Sequence, residues 1–122
     1  MRVRPETHLP LTTVSLYVLL AVADEALHGY GIIKDVERRT NGMVSLEAGT
    51  LYAAIKRLQD EGLLRADDTR RPKADDSRRR YYRLTPLGRA VLRAECDRLE
   101  DVLRTARDKG VIPATGRGSH GA

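Results

Sequence analysis

The sequence predicts an α+β fold, mostly α: a winged helix-turn-helix with a long C-terminal dimerisation helix. Three observations predict it. Apolar and amphipathic stretches mark three helices in the first half of the chain. A charged loop then leads into an alternating stretch that returns as a strand, so the pair reads as a hairpin. A final stripe of apolar residues spaced 4, 3, 4, 3 reads as one long helix with a seam suited to a partner helix.

Taken in order, residues 1–10 are polar with Pro5 and Pro10, and read as a flexible arm. Thr12 or Thr13 caps the first helix, because a hydroxyl accepts a hydrogen bond from a free backbone N–H. That helix, about Thr13 to Asp24, is apolar on nearly every face: Val14, Leu16, Val18, Leu19, Leu20 and Val22. A helix apolar all round is buried all round. In a chain this small, a second subunit is expected to cover one side, with Leu16 and Leu20 facing it.

The stretch "LHGYGIIKDVERRTNG" follows. Ile32, Ile33 and Val36 form one apolar stripe, His28 caps or packs at the turn, and Asn41-Gly42 ends the helix in a left-handed cap. Residues 43–46 look short and β-like. In "LEAGTLYAAIKRLQDEG" the residues Leu51, Ile55 and Leu58 recur at 4 and 3, an amphipathic helix that Gly62 closes. Glu47 reads as its cap. The run Leu63–Ala66 is a short strand, the stretch holding Pro72 a loop, and Arg79–Leu84 the returning strand, with Arg80, Tyr82 and Leu84 on one face. Thr85-Pro86 opens the last helix, which runs to about Lys109. Its stripe is Leu92, Cys96, Leu99, Leu103 and Ala106, the expected dimer seam. Residues 110–122 are small and polar, and disorder is expected there. The organisation is thus an arm (1–10), a winged helix-turn-helix (11–85), a dimerisation helix (86–109) and a tail (110–122).

Composition narrows the partner. The chain has 122 residues, one domain's worth, and 41% hydrophobic content without Trp or Phe. Net charge is +5, and residues 65–83 hold eight Arg or Lys against four Asp, so that segment alone carries +4. Charge this concentrated points to a polyanion, nucleic acid first. The bland alternative is a solvated surface in an Arg-rich chain.

The third helix supports the sharper reading. Opposite its core stripe lie Gly49, Ala53, Lys56 and Asp60, flanked by Thr50, Tyr52 and Arg57. A helix entering a major groove needs little bulk at the centre and donors around it. The wing arginines and lysine, Arg70, Arg71, Lys73, Arg78, Arg79 and Arg80, would then lie along the sugar-phosphate backbone. Each phosphate they neutralise releases counterions, so binding should weaken steeply with salt. The expected partner is a double-stranded DNA operator. The runner-up is a winged-helix protein-interaction module without DNA binding, for which an acidic or neutral wing is the expectation.

Other chemistry finds little footing. One cysteine, Cys96, excludes an intrachain disulfide and reads as a small buried hydrophobe on the seam ahead of a redox switch. His8, His28 and His120 lack metal-ligand spacing, so no metal or other cofactor is expected. No catalytic constellation stands on a suitable frame, so no enzyme is expected. The N-terminus lacks a signal-peptide pattern, and the longest apolar run, Val14–Ala23, is about half of a bilayer span. A cytoplasmic protein without a membrane partner is expected.

The blocks "LHGYGIIKDVE", "EAGTLYAAIKRLQDEGLL" and "SRRRYYRLTPLGR", in this order, resemble the signature blocks of PadR-like transcriptional regulators, over about residues 12–109. The single long C-terminal helix is similar to that of the smaller subfamily. The resemblance implies a homodimeric winged-helix repressor whose last helix is the main dimer element. It also implies release of DNA by a small, often aromatic, effector near the dimer interface. By the same resemblance Gly49, Thr50, Leu51 and Tyr52 open the recognition helix, Arg78–Thr85 form the basic wing strand, and Tyr30 lies close to DNA phosphates or serves in packing. The departure is the last helix, which has no aromatic residue. A pocket that sandwiches flat compounds is therefore not expected, and an aliphatic effector or none stays open.

Overall fold

The computed structural model describes residues 4–67 and 80–114. A 3-10 turn, Pro5–His8, precedes helix α1 (Thr13–Ala21), strand β1 (Leu27–His28), helices α2 (Gly29–Arg39) and α3 (Ala48–Asp60), strands β2 (Leu64–Ala66) and β3 (Tyr81–Leu84), and the long helix α4 (Pro86–Asp108). Three helices, a small antiparallel sheet and a fourth helix make the expected winged helix-turn-helix.

Local chemistry sets the boundaries. The hydroxyls of Thr12 and Thr85 accept the N–H groups of Ser15 and Gly88 at 3.1 and 2.9 Å, so both helices start where a hydroxyl serves a free donor. Helix α1 stops at Ala21, short of the expected Asp24, because the chain tightens and the Ala23 N–H turns back to the Leu20 carbonyl. Helix α2 ends in a Schellman motif: Asn41 and Gly42 take left-handed φ values of 53° and 80°, and the Gly42 N–H donates to the Glu37 carbonyl at 2.8 Å. Helix α3 ends the same way at Gly62, foreseen from the sequence, with the Leu63 N–H on the Leu58 carbonyl at 2.9 Å.

The sheet has three strands in the order β1-β3-β2, all antiparallel neighbours. Leu64 faces Leu84 and Ala66 faces Tyr82 in the β2–β3 hairpin, while β1 sets Leu27 opposite Tyr82 and His28 opposite Tyr81. The third strand is therefore Leu27–His28 and not residues 43–46. Those four residues form no strand because Thr40 serves them locally: its hydroxyl accepts the Val44 N–H at 3.1 Å and donates to the Val36 carbonyl at 2.8 Å.

The core lies between α1, α2, α3, the hairpin and the first half of α4. Val18, Leu19, Ile32, Leu51, Ile55, Leu58, Leu63 and Val91 are buried there, with Tyr82 and Leu84 from the returning strand. The first turn of α4 sits directly on the hairpin's entry. A side chain at Gly88 would run into the backbone carbonyl of Leu63, so that contact needs glycine.

The N-terminal residues have a seat that their polar composition did not foreshadow. The Pro5–His8 turn packs against α4, and Leu9 and Leu11 rest on the core. The Leu11 N–H donates to Glu95 Oε2 on α4 at 3.2 Å. Among the described residues no helix is long and apolar enough to cross a membrane.

Candidate nucleic-acid interface

Helix α3 turns its two faces as its period demands. Leu51, Ala54, Ile55 and Leu58 are buried, while Gly49, Thr50, Tyr52, Ala53, Lys56 and Arg57 are exposed. Gly49 is open enough that an added Cβ would meet nothing within 4 Å. The centre of the outward face is therefore bare, and a flat partner can approach its backbone closely.

The cations on that helix are oriented by neighbours. Lys56 Nζ lies 3.5 Å from Asp60 Oδ2, one turn on. Arg57 Nη2 donates to Ser15 Oγ in the first turn of α1 at 3.1 Å, so its guanidinium leans toward α1. Glu47 holds the N-cap position but does not cap: its carbonyl accepts the Leu51 N–H at 2.9 Å, yet its carboxylate accepts no capping bond. The cap expected from sequence is thus absent. A glutamate carries its oxygens one methylene too far out to fold back as Ser, Thr, Asp or Asn do.

Aromatic side chains tie α3 to α2 and to the hairpin. The Tyr52 ring and hydroxyl lie so close over Gly29 that a side chain at 29 would collide with them. Next to Gly29, Tyr30 is 57% exposed, stacks on His28 at 6.5 Å between centroids, and carries Lys34 Nζ 5.6 Å from its ring centre. The hydrogen bond from Lys34 to Glu37 raises the lysine's pKa above its ordinary value, so its charge is secure at neutral pH. His28 Nδ1 accepts the Gly31 N–H at 2.9 Å and thereby caps α2, while its ring meets Tyr81 of β3 edge-on at 5.1 Å. The start of α2, the outer face of α3 and the base of the hairpin form one continuous surface.

At that base Arg65 and Arg83 are paired across β2 and β3, an unfavourable juxtaposition of like charges. Asp67 Oδ2, 3.6 Å from Arg83 Nη1, offsets it. Arg80 is exposed where the described part of the returning strand begins. Arg70, Arg71, Lys73, Arg78 and Arg79 lie outside the described residues.

The expected dimer residues divide along α4. Every buried residue of that helix (Gly88, Val91, Leu92 and Glu95) lies in its first half. Leu92 is thus part of this chain's own core. Cys96, Leu99 and Ala106 are half-buried, and Leu103 is 47% exposed. Val102, which the 4, 3 spacing skips, is equally open at 50%. On α1, Leu16 is half-buried and Leu20 is 42% exposed.

Sequence reasoning passed over Glu95. Its side chain is 1% exposed, and it accepts from Arg98 at 2.7 and 3.0 Å as well as from Leu11. The Arg98 bonds hold its carboxyl below the usual carboxylate range, against the opposing effect of burial. The only signal was an arginine three residues on, which is common on any exposed helix.

Four similarities bear on this arrangement. A family model described as the transcriptional regulator PadR-like family matches residues 18–94. The transcriptional regulator Rv3488 of Mycobacterium tuberculosis is 34% identical over 91 residues, which span 75% of this chain and 79% of that one. A transcriptional regulator from Clostridium thermocellum has the same fold, with a TM-score of 0.66 and 26% identity over 80% of this chain and 89% of its own. The structure of Bacillus subtilis PadR in complex with operator DNA is similar over 68% of this chain and 47% of its own, at a TM-score of 0.58 and 22% identity.

Proposed function

The chain belongs to the PadR-like family of transcriptional regulators and is not an enzyme, and from that premise we propose that it is a homodimeric repressor of a two-fold symmetric operator. The observation that carries the proposal is the bare outer face of α3, set beside the exposed Tyr30 and the base of a basic hairpin. In this reading Gly49, Thr50, Tyr52, Ala53, Lys56 and Arg57 meet the major groove, Tyr30 meets a flanking phosphate, and the wing cations Arg70, Arg71, Lys73, Arg78, Arg79 and Arg80 follow the backbone. That PadR of Bacillus subtilis has been seen on operator DNA supports the assignment.

Helix α4 supports the dimer. The helix is ~35 Å long at 1.5 Å per residue, and no residue of its second half is fully buried within the chain. Leu99, Val102 and Leu103 there, with Leu16 and Leu20 of α1, offer an aliphatic surface to a second copy. Residues 11–85 are then the DNA-binding unit and residues 86–109 the dimer helix. An effector lodged between two such helices would meet aliphatic walls, which favours a compact aliphatic compound over a flat aromatic one. The place of action is the cytoplasm.

The test is titration of the full-length protein onto the duplex upstream of its own gene, followed by anisotropy at low and moderate salt. Saturable binding with two protomers per site supports the reading. Absence of binding at minimal ionic strength overturns it.

A further inference from the structure

We infer that Glu47 is a base-reading residue that selects cytosine at one position of each half-site. The inference rests on the DNA-binding reading above and adds to it the identity of a base.

The argument begins with what is charged at the leading end of α3. In residues 46–53, "LEAGTLYA", Glu47 is the single charged residue. Beyond it, Lys56 is held by Asp60 and Arg57 leans on Ser15. A recognition helix meets base edges with its N-terminal residues. The one charged side chain at that end, ahead of Thr50 and Tyr52, is therefore an anion, and Ala48 and Gly49 beside it are small and exposed.

The position is also preorganised. Leu46 and Leu51 on either side are buried, and the Glu47 carbonyl accepts the first bond of the helix, so the backbone is fixed. The side chain is exposed and accepts no capping bond. Among the described residues no lysine, arginine or histidine is paired with it. A carboxylate that neither caps its helix nor joins an ion pair keeps its acceptor capacity for a ligand.

An ionised carboxylate only accepts hydrogen bonds. In the major groove cytosine presents an N4 amine donor, whereas guanine offers N7 and O6 acceptors and thymine an O4 acceptor. Adenine has a donor, but its N7 acceptor lies beside it and repels the second oxygen. Cytosine is the base that fits. The wrong base leaves a desolvated anion without a partner, so discrimination comes from rejecting guanine and thymine as much as from binding cytosine. The anion also opposes the phosphates, which lowers affinity for sequences that lack the partner base.

The experiment is selection from a randomised duplex library, with full-length wild type, Glu47→Gln and Glu47→Ala, followed by anisotropy on the selected sites. Melting of each variant confirms that the exposed substitution leaves the fold intact. Wild type should enrich cytosine at one position per half-site and lose roughly five- to hundredfold in affinity when guanine replaces it. Glu47→Ala should lose that preference alone, keep the others, and bind unrelated duplex more tightly than wild type. Identical preferences in wild type and Glu47→Ala overturn the inference, as does an equal fall in affinity for all sequences. A wild type that binds no duplex overturns the DNA-binding reading itself, a separate and recognisable outcome.

Discussion

The Glu95 carboxylate accepts the backbone N–H of Leu11, 84 residues away in sequence, at 3.2 Å. Arg98 donates to both oxygens of the same carboxylate, including the one Leu11 uses. A buried charge is tolerated only when paired and hydrogen-bonded, and here both conditions are met. The consequence is positional: the entry to α1 is tied to the middle of α4.

Removing the carboxylate leaves the Leu11 N–H without its acceptor. Glu95→Ala should therefore cost about 1–3 kcal/mol in a urea melt, the usual penalty for an orphaned buried group. A variant as stable as wild type would mean that water replaces the contact.

The same group sets a pH dependence. Arg98 lowers the Glu95 pKa in the folded state, below its value of about 4.3 in an unfolded chain. The stabilisation is then complete above the unfolded value and is lost as pH falls through the folded one. The stability gap between wild type and Glu95→Gln should thus narrow as pH drops from about 5 toward 2. A gap that widens on acidification would contradict the assignment.

How far the sequence discloses this molecule depends on the kind of signal. Helix ends were legible where a specific residue has a local job, as at Thr12, Thr85, Gly42 and Gly62. The strand Leu27–His28 was not, because two residues carry no period and are strand only through pairing with β3. Glu95 was hidden for the opposite reason. Helical spacing places it beside the apolar stripe as an ordinary polar neighbour, and its bond from Leu11 joins positions far apart in sequence. At the candidate interface the bare face of α3 was legible from its period. The collision of Tyr52 with any side chain at 29 was not, since it joins two helices at a point.

Two glycines separate packing from recognition. Gly88→Ala drives a methyl into the Leu63 carbonyl, and overpacking of that kind costs about 1–3 kcal/mol, more than the helix propensity gained. Gly49→Ala meets nothing in the protein and, being in the first turn of α3, should stabilise the helix by a fraction of the roughly 0.5–1 kcal/mol of a mid-helix glycine. If α3 enters the groove as proposed, the order reverses for Gly49→Ala, since the added methyl would come between helix and groove, so a more stable protein should bind its operator less well. Thermal melts and anisotropy on both variants check the pair of signs.

Arg80 tests the electrostatic half of the interface without altering the core, being exposed at the start of β3. If it neutralises one phosphate, Arg80→Ala should weaken binding about uniformly across sequences and reduce the slope of log affinity against log salt by about 1. An unchanged slope would place Arg80 away from the duplex.

Leu103 tests the assembly. It is half-exposed on the part of α4 that has no fully buried residue, so a charge there costs the monomer little. In a dimer the same charge is forced against an aliphatic surface and loses its water. Leu103→Asp should therefore sediment as a folded monomer with a melting temperature near that of the isolated subunit. Its affinity for a full operator should fall by roughly 10²–10⁴, because the second half-site no longer benefits from a tethered partner, while affinity for a single half-site stays close to that of wild type. Dimers persisting in Leu103→Asp would move the interface off this face of α4 and onto α1 around Leu20.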